Sequence, residues 1–481
     1  MVGKFQITKF ISDVKQESDF NPRVVEDSTS DIFLAFNQLA ETVYRYFQNK
    51  YQQADNLQRE EYEKMQYEAI IGNPKYIKML KDEISKYLDS ADLKHTSYPE
   101  HIYNSLVDGI FHKNWGFDCF APWFSRYSYS QSAKISGRRI FFEDKDGKRK
   151  LLPFQFEKEE DVERIIRHLT MKDNYAKLND DNTSIEIDMY DGTRVTIIIP
   201  PTSLVYTIIF RRFVIPRLTL EDYQKIEPNP FPSEMIPILR GLAPATICFT
   251  GRVKSGKSTL LKILFGERDP YEVTTVLAKK FELFLSEAYP DRDITELQSK
   301  DGFKVHELIP IVLRSDLEFG ILEEVRSDEA EAAMMMAERG NKVYLTYHSS
   351  KVNNIPFQIA DLIIENKPNK NYISEIIRAA QNINIAIVNK ELKDRSKRVI
   401  NISEIRFDDK NMVVSSHPIC LWDEETDTWR YKFDLSEELI KELRSSNKEN
   451  TNLMIQYLKK LEQRYPFEKD MVEQTPINFG G

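Results

Sequence analysis

Residues 245–258 read ATICFTGRVKSGKS, and residues 259–265 continue TLLKILF. The first six form an apolar run of strand length, and Ser258–Phe265 has the character of a buried helix. Between them, Gly251-Arg252-Val253-Lys254-Ser255-Gly256-Lys257-Ser258 satisfies the G-x-x-x-x-G-K-[ST] pattern in full,. The glycines let backbone N–H groups wrap phosphate oxygens without side-chain clash. Together with the helix N-terminus those groups form an anion cradle. Lys257 is placed to reach the β- and γ-phosphates as a point charge, and the Ser258 hydroxyl to meet Mg²⁺. Ser255 and Lys254 lie inside the loop, and Thr259 packs near the base or the α-phosphate. Strand, glycine loop and helix in this order predict a nucleotide site in an α/β domain.

Working outward, residues 235–395 alternate strand and helix signals: strands at Val273–Leu277, Lys342–Tyr347, Asp361–Glu365 and Asn384–Val388, and a helix at Glu324–Arg339. Small strands at Arg398–Ile405 and Asn411–Ser415, an acidic turn between Trp422 and Trp429, and a helical tail opened by Asp434-x-x-Glu437 make residues 396–481 a β/helical extension. Upstream, prolines 228, 230 and 232 mark residues 216–234 as a stiff linker,. Residues 100–215 have the pattern of an α+β domain with an antiparallel sheet. Its signals are a turn at Asp146-Gly147, a helix over Lys158–Thr170, a hairpin turning at Asp191-Gly192 and a strand at Tyr206–Arg212. Residues 1–99 form a helical region, with caps at Asp27–Ser30 and an apolar face of Ile32, Phe36, Leu39, Val43 and Phe47. That face needs cover, from its own chain or from another.

Composition bounds the reading. The chain has 481 residues, 67 basic and 76 acidic, a net charge of −9. At about 150 residues per domain, two or three cores are expected. The acidic balance argues against coating of nucleic acid. Three scattered cysteines exclude a disulfide scaffold and a four-cysteine zinc site, and point to reduced, buried thiols,. The most apolar stretch, Val195–Phe210, is cut by two prolines and is shorter than the ~20 residues of a spanning helix,. A soluble intracellular protein is expected.

A phosphate cradle also needs a carboxylate to hold or polarise water. Residues 313–326, LRSDLEFGILEEVR, end an apolar strand on Glu323-Glu324. One of these can orient water or hold metal through water. Two glutamates at a helix start also simply suit its dipole.

With these residues in view, the chain resembles the secretion ATPase superfamily of type II and type IV secretion, conjugation and tight-adherence pilus systems. The resemblance spans roughly residues 100–420 and implies a RecA-like P-loop core preceded by an α+β domain. The family's Gly-Glu-x-Arg-x-x-Glu-Ala is similar to Glu323-Glu324-Val325-Arg326-Ser327-Asp328-Glu329-Ala330, which implies Glu324 as the catalytic and metal-side carboxylate. Its Thr-x-His-x-x-Ser resembles Thr346-Tyr347-His348-Ser349-Ser350, implying that His348 senses the γ-phosphate. Arg194, in Asp191-Gly192-Thr193-Arg194, and Arg211 or Arg212 resemble the basic motifs that face nucleotide across the domain cleft, with the 216–234 segment as hinge. Only one of the adjacent Arg211 and Arg212 can point that way from a strand.

The resemblance further implies a homo-hexameric, cytoplasmic ATPase that uses ATP and Mg²⁺. It would dock peripherally at the inner membrane face on platform or channel proteins. The family's acidic box is eroded at Leu277–Leu283, where Ala278 and Lys279 replace two acids while Glu282-Leu283 is kept. A Walker-type aspartate is replaced by Glu318 or lost. A nucleotide-dependent scaffold with weak hydrolysis is therefore an alternative, and a nucleic-acid motor a further one.

Overall fold

The computed structural model describes residues 26–53, 55–145, 147–171, 178–179, 181–212, 217–299, 305–349 and 351–477. Asp146, Pro216 and Ser350, which carry expectations above, lie outside them. The chain divides into two compact units, Met1–Phe213 and Val214–Gly481.

In the first unit, helices Glu26–Gln52, Asn56–Ile70, Pro74–Ser90 and Leu106–Asn114 precede an antiparallel sheet. Its strands are β1 (Ser132–Ser136), β2 (Arg139–Glu143), β3 (Arg149–Leu151), β4 (Ser184–Asp188), β5 (Arg194–Ile198) and β6 (Thr207–Arg211), in the order β3-β2-β1-β6-β5-β4. Helix Glu159–Leu169 lies between β3 and β4 in the chain. The first helix already runs from Glu26, so Asp27–Ser30 falls within it rather than capping it. Its apolar face is not left for an outside partner. Phe36, Val43 and Phe47 join one core with Leu80, Ile84, Trp115 and the inner sheet face of Ile135, Ile197, Ile208 and Phe210. Residues 32–99 and 100–212 thus share a single interior, because neither the helices nor the one-sided sheet can bury its apolar face alone.

The second unit is built on a ten-stranded sheet. Its strands are β7 (Ile247–Gly251), β8 (Thr274–Ala278), β9 (Ile294–Gln298), β10 (Phe319–Leu322), β11 (Lys342–Tyr347), β12 (Ile385–Glu391), β13 (Lys397–Asp408), β14 (Val413–Asp423), β15 (Thr428–Tyr431) and β16 (Glu473–Pro476). The order is β15-β14-β13-β12-β7-β11-β10-β8-β9, with β16 on β14. From β12 to β9 every pairing is parallel; beyond β12 the sheet turns antiparallel. The inner parallel strands β7, β8, β10, β11 and β12 are largely buried and read as mainly apolar runs, while the edge strand β9, ITELQ, is half-buried and polar,. Ile247 and Phe249 of β7 pack into one core, and Cys248 into the other. All three cysteines, Cys119, Cys248 and Cys420, are buried free thiols, each with its pKa pushed up by burial.

Several local expectations are corrected. Residues 361–365 are helical, inside Ile355–Asn366, because Ile355, Ile359 and Ile363 recur every four residues behind a proline in the first turn,. The helix placed at Glu324–Arg339 begins only at Glu329, whose carboxylate accepts the N–H groups of Arg326 and Ser327 and holds them in a turn. The tail helix Glu437–Ser446 is capped by Ser436 rather than Asp434. The segment read as a linker is built into the second unit from residue 217 on. Thr219 caps Leu220–Gln224 there, and Leu220 and Phe231 are fully buried in the same core as β7. No described helix is long and apolar enough to cross a membrane.

Candidate nucleotide site

β7 ends where its sequence successor β8 lies three strands away, beyond β11 and β10. Such a reversal opens a crevice at the carboxyl ends of the strands. The phosphate loop occupies that place. Gly251 has φ +136°, and a Cβ there would stand 2.1 Å from the Asn389 carbonyl oxygen of β12. Only glycine fits the crossing. Gly256, at φ +93°, starts the helix Lys257–Gly266, and no side chain caps it. Lys254 is also left-handed, at φ +65°. The Ser255 hydroxyl is buried without a hydrogen-bond partner. An uncapped helix start and an orphaned hydroxyl inside a glycine loop suit a phosphate group, whose oxygens accept from such donors. Ser258 and Thr259 follow in the first turn, both partly exposed.

Lys257 Nζ donates to the carbonyl oxygens of Gly251 and Arg252, each at 2.9 Å. Burial pushes its pKa down to about 8, against the pull of the Glu324 and Glu282 carboxylates. His348, just past β11, brings Nδ1 to 3.0 Å from the Gly251 oxygen and 3.4 Å from Lys257 Nζ. Its Nε2 lies 3.2 Å from Glu324 Oε1. Glu324, just past β10, also pairs with Arg326 at 2.6 Å. The loop after β11 is clamped to β7 by Thr250, whose hydroxyl donates to the Ser349 carbonyl while accepting the Ser349 N–H, both at 2.8 Å. Lys257, His348 and Glu324 therefore form one contiguous polar group over the ends of three adjacent strands, β7, β11 and β10.

The Ser258 hydroxyl and the Glu324 carboxylate are hard oxygen donors of the kind Mg²⁺ takes together with phosphate and water. Among the described residues no cluster of three or more histidine, cysteine or acidic side chains forms a metal cage. Glu318 is not at the site. It precedes β10, at the opposite end of that strand, and its carboxylate accepts the Val273 N–H. Lys279, after β8, pairs with Glu329 at 3.2 Å.

Two residues named in the sequence, Glu323 and Glu282, take positions there that the sequence did not assign. Glu323 and Glu324 are adjacent, yet Glu323 turns into the protein, 5 % exposed, and accepts the N–H groups of Glu282 and Leu283. Glu282 enters the field of Lys257 from the loop after β8. The kept Glu282-Leu283 pair was the available signal.

The three arginines belong to the first unit. Arg194 of β5 and Arg211 of β6 are directly opposite in register, so their side chains share one sheet face, the one that does not carry Val195 and Phe210. Asp188 of β4 stands directly opposite Arg194 on its other side, so an acidic residue shares the face with the two arginines,. Arg212 is engaged elsewhere: its guanidinium donates to the carbonyls of Tyr127, Ser128 and Ser130 and lies 4.0 Å over the Trp123 ring. Of the adjacent pair, Arg211 is the exposed one.

No protein-family model matches the chain, and no curated protein matches it. Solved structures do. The VirB11 ATPase of the Brucella suis type IV secretion system, in complex with sulphate, is 18 % identical over 59 % of this chain and 91 % of its own, with a TM-score of 0.32. The Legionella pneumophila ATPase DotB is 16 % identical over 70 % and 85 %, at 0.43. The pilus retraction motor PilT with bound ADP is 14 % identical over 72 % and 87 %, at 0.44.

Proposed function

We propose that this protein is an ATP-binding and ATP-hydrolysing motor with a RecA-like core, which powers a type IV-like secretion, conjugation or pilus assembly machine. The observation that carries the reading is the convergence of Lys257, His348 and Glu324 on one complete G-x-x-x-x-G-K-S loop. Amides of residues 251–257 hold the β- and γ-phosphates, and Lys257 exchanges its two loop carbonyls for phosphate oxygens. Ser258 and Glu324 are the residues that would hold Mg²⁺, which would supply positive charge against the phosphates. Glu324 orients the attacking water, and His348 links that carboxylate to the loop as a sensor of the γ-phosphate. Lys254, Ser255 and Thr259 complete the phosphate contacts.

Arg194 and Arg211, paired on one sheet face, supply positive charge to nucleotide during assembly. An arginine in that role contributes ~10³–10⁵ in rate in nucleotide hydrolases. Arg212 is left to hold its own carbonyls. Assembly as a homo-hexamer, docked peripherally on membrane platform or channel proteins from the cytoplasmic side, completes the proposal.

A second reading is a nucleotide-dependent scaffold. It is favoured by the Arg326–Glu324 ion pair, which occupies the proposed catalytic carboxylate, and by Lys279 in place of an acid.

The test combines ATP-analogue binding, particle size with the analogue present, and turnover across protein concentration. Lys257→Ala should abolish tight binding, and Glu324→Gln should keep binding while slowing hydrolysis. Wild-type turnover no faster than Lys257→Ala, with binding retained, selects the scaffold. A monomer whose specific activity is independent of concentration overturns the ring.

A further inference from the structure

We infer that Glu323 is a positioning residue: its carboxylate pins the loop Lys279–Phe284 and so brings Glu282 to the lysine that Glu324 also faces. The inference rests on the nucleotide-hydrolysis reading for its kinetic part, and on geometry alone for the loop. Glu323 and Glu324 leave the end of β10 on opposite sides. Glu324 meets His348 and Arg326 at the site. Glu323 is buried and receives two backbone N–H groups, from Glu282 at 2.8 Å and Leu283 at 3.2 Å. Its own carbonyl accepts the Thr346 hydroxyl of β11, so the residue is fixed at backbone and side chain.

A carboxylate in that position is costly to bury, and a small apolar residue would end β10 more cheaply. What the carboxylate secures is the loop. The same loop is held from two further sides: Lys262 Nζ donates to the Leu283 carbonyl at 2.6 Å, and the Glu296 carboxylate takes the Leu285 and Ser286 N–H groups at 3.0 and 3.1 Å. Ordinary surface connections are looser than this. The residue so fixed, Glu282, is the one loop carboxylate whose charge reaches Lys257. Lys279, in the pinned loop, and Ala278, the last residue of β8, stand where the resembling family carries acids. The site therefore keeps its second carboxylate by holding one residue rigidly.

The experiment measures amide hydrogen exchange and ATPase kinetics on the full chain with Glu323→Ala, the isosteric Glu323→Gln, Glu282→Gln and the Glu323→Ala/Glu282→Gln double variant. Exchange at the Glu282 and Leu283 amides should accelerate in both Glu323 variants, while β7 and the helix Lys257–Gly266 keep their protection. ATP-analogue affinity should stay within about threefold while kcat falls by on the order of 10- to 100-fold in Glu323→Ala, the size expected when a catalytic group is misplaced. Glu323→Gln, which keeps one acceptor, should fall between. The double variant should be no slower than the slower single variant, since both changes remove the same group from the site. Unchanged exchange at residues 282 and 283 overturns the pinning whatever the activity, and additive losses in the double variant overturn the link to Glu282. Failure of the wild type to bind ATP removes the proposed function instead, and the exchange result still decides the loop.

Discussion

Lys257 spends its ammonium on two carbonyls of its own loop, so phosphate must displace those bonds to be held. The exchange favours a compact, rotatable cation. Lys257→Arg should therefore fail to restore binding, although charge is conserved, because a planar guanidinium cannot occupy a pocket shaped for one ammonium. Titration with an ATP analogue checks this: affinity within tenfold of wild type would contradict it. His348 bridges the loop carbonyl and Glu324, so His348→Ala should leave the analogue bound but lower kcat by roughly 10- to 100-fold, measured as a kcat-against-KM split. The glycines, lysine and serine of the loop were legible in the sequence because the chemistry is local and its spacing is fixed by one turn of backbone. The division between Glu323 and Glu324 was not. Adjacent identical residues differ only in which way the strand end turns them, and that is decided by the loop they pack against.

At the scale of elements, the crossing of β7 and β12 is the tightest point. Gly251→Ala would force a Cβ into the Asn389 backbone at a φ that other residues rarely adopt, so neither side can yield cheaply. A loss of at least about 3 kcal/mol is expected, read as a lowered urea midpoint with the m-value unchanged. Ser436 has a double duty, capping the helix Glu437–Ser446 and donating to the buried Glu404 carboxylate. Ser436→Ala should cost about 1–3 kcal/mol, above an ordinary cap, because it also leaves a buried carboxylate short of a donor. Most strands were legible from continuous apolar runs. Residues 361–365 were not, since five residues cannot separate a strand from part of a buried helix. The helix after β10 was misplaced because Glu329 draws the preceding turn onto its own carboxylate, a tertiary choice that no periodicity encodes.

At the scale of the molecule, the two units carry different sensitivities to acid. His168 in the first unit is buried beside Arg164 and Arg167, and burial pushes its pKa down to about 3. Its unfolded pKa is near 6.5, so between these values the unfolded chain binds the extra proton. Stability is complete above pH 6.5 and is lost as pH falls toward 3, by about 2 kcal/mol between pH 7 and pH 5. His112, pushed down to about 4, acts in the same direction. The first unit should unfold at higher pH than the second, and His168→Leu should narrow the gap, followed by urea melts at pH 5 and 7. The two-unit division was only partly legible: from residue 217 on, the proline-rich stretch read as a connector belongs to the second unit, anchored by the buried Leu220 and Phe231. The depth of the three cysteines has a practical consequence. With every native thiol enclosed, the folded chain should take up almost no maleimide, and the urea-unfolded chain three equivalents. One cysteine introduced at Leu204 or Tyr271, which are 96 % and 88 % exposed, would then carry a single probe on an otherwise unaltered protein. A dye on each unit would let energy transfer report their separation as nucleotide comes and goes.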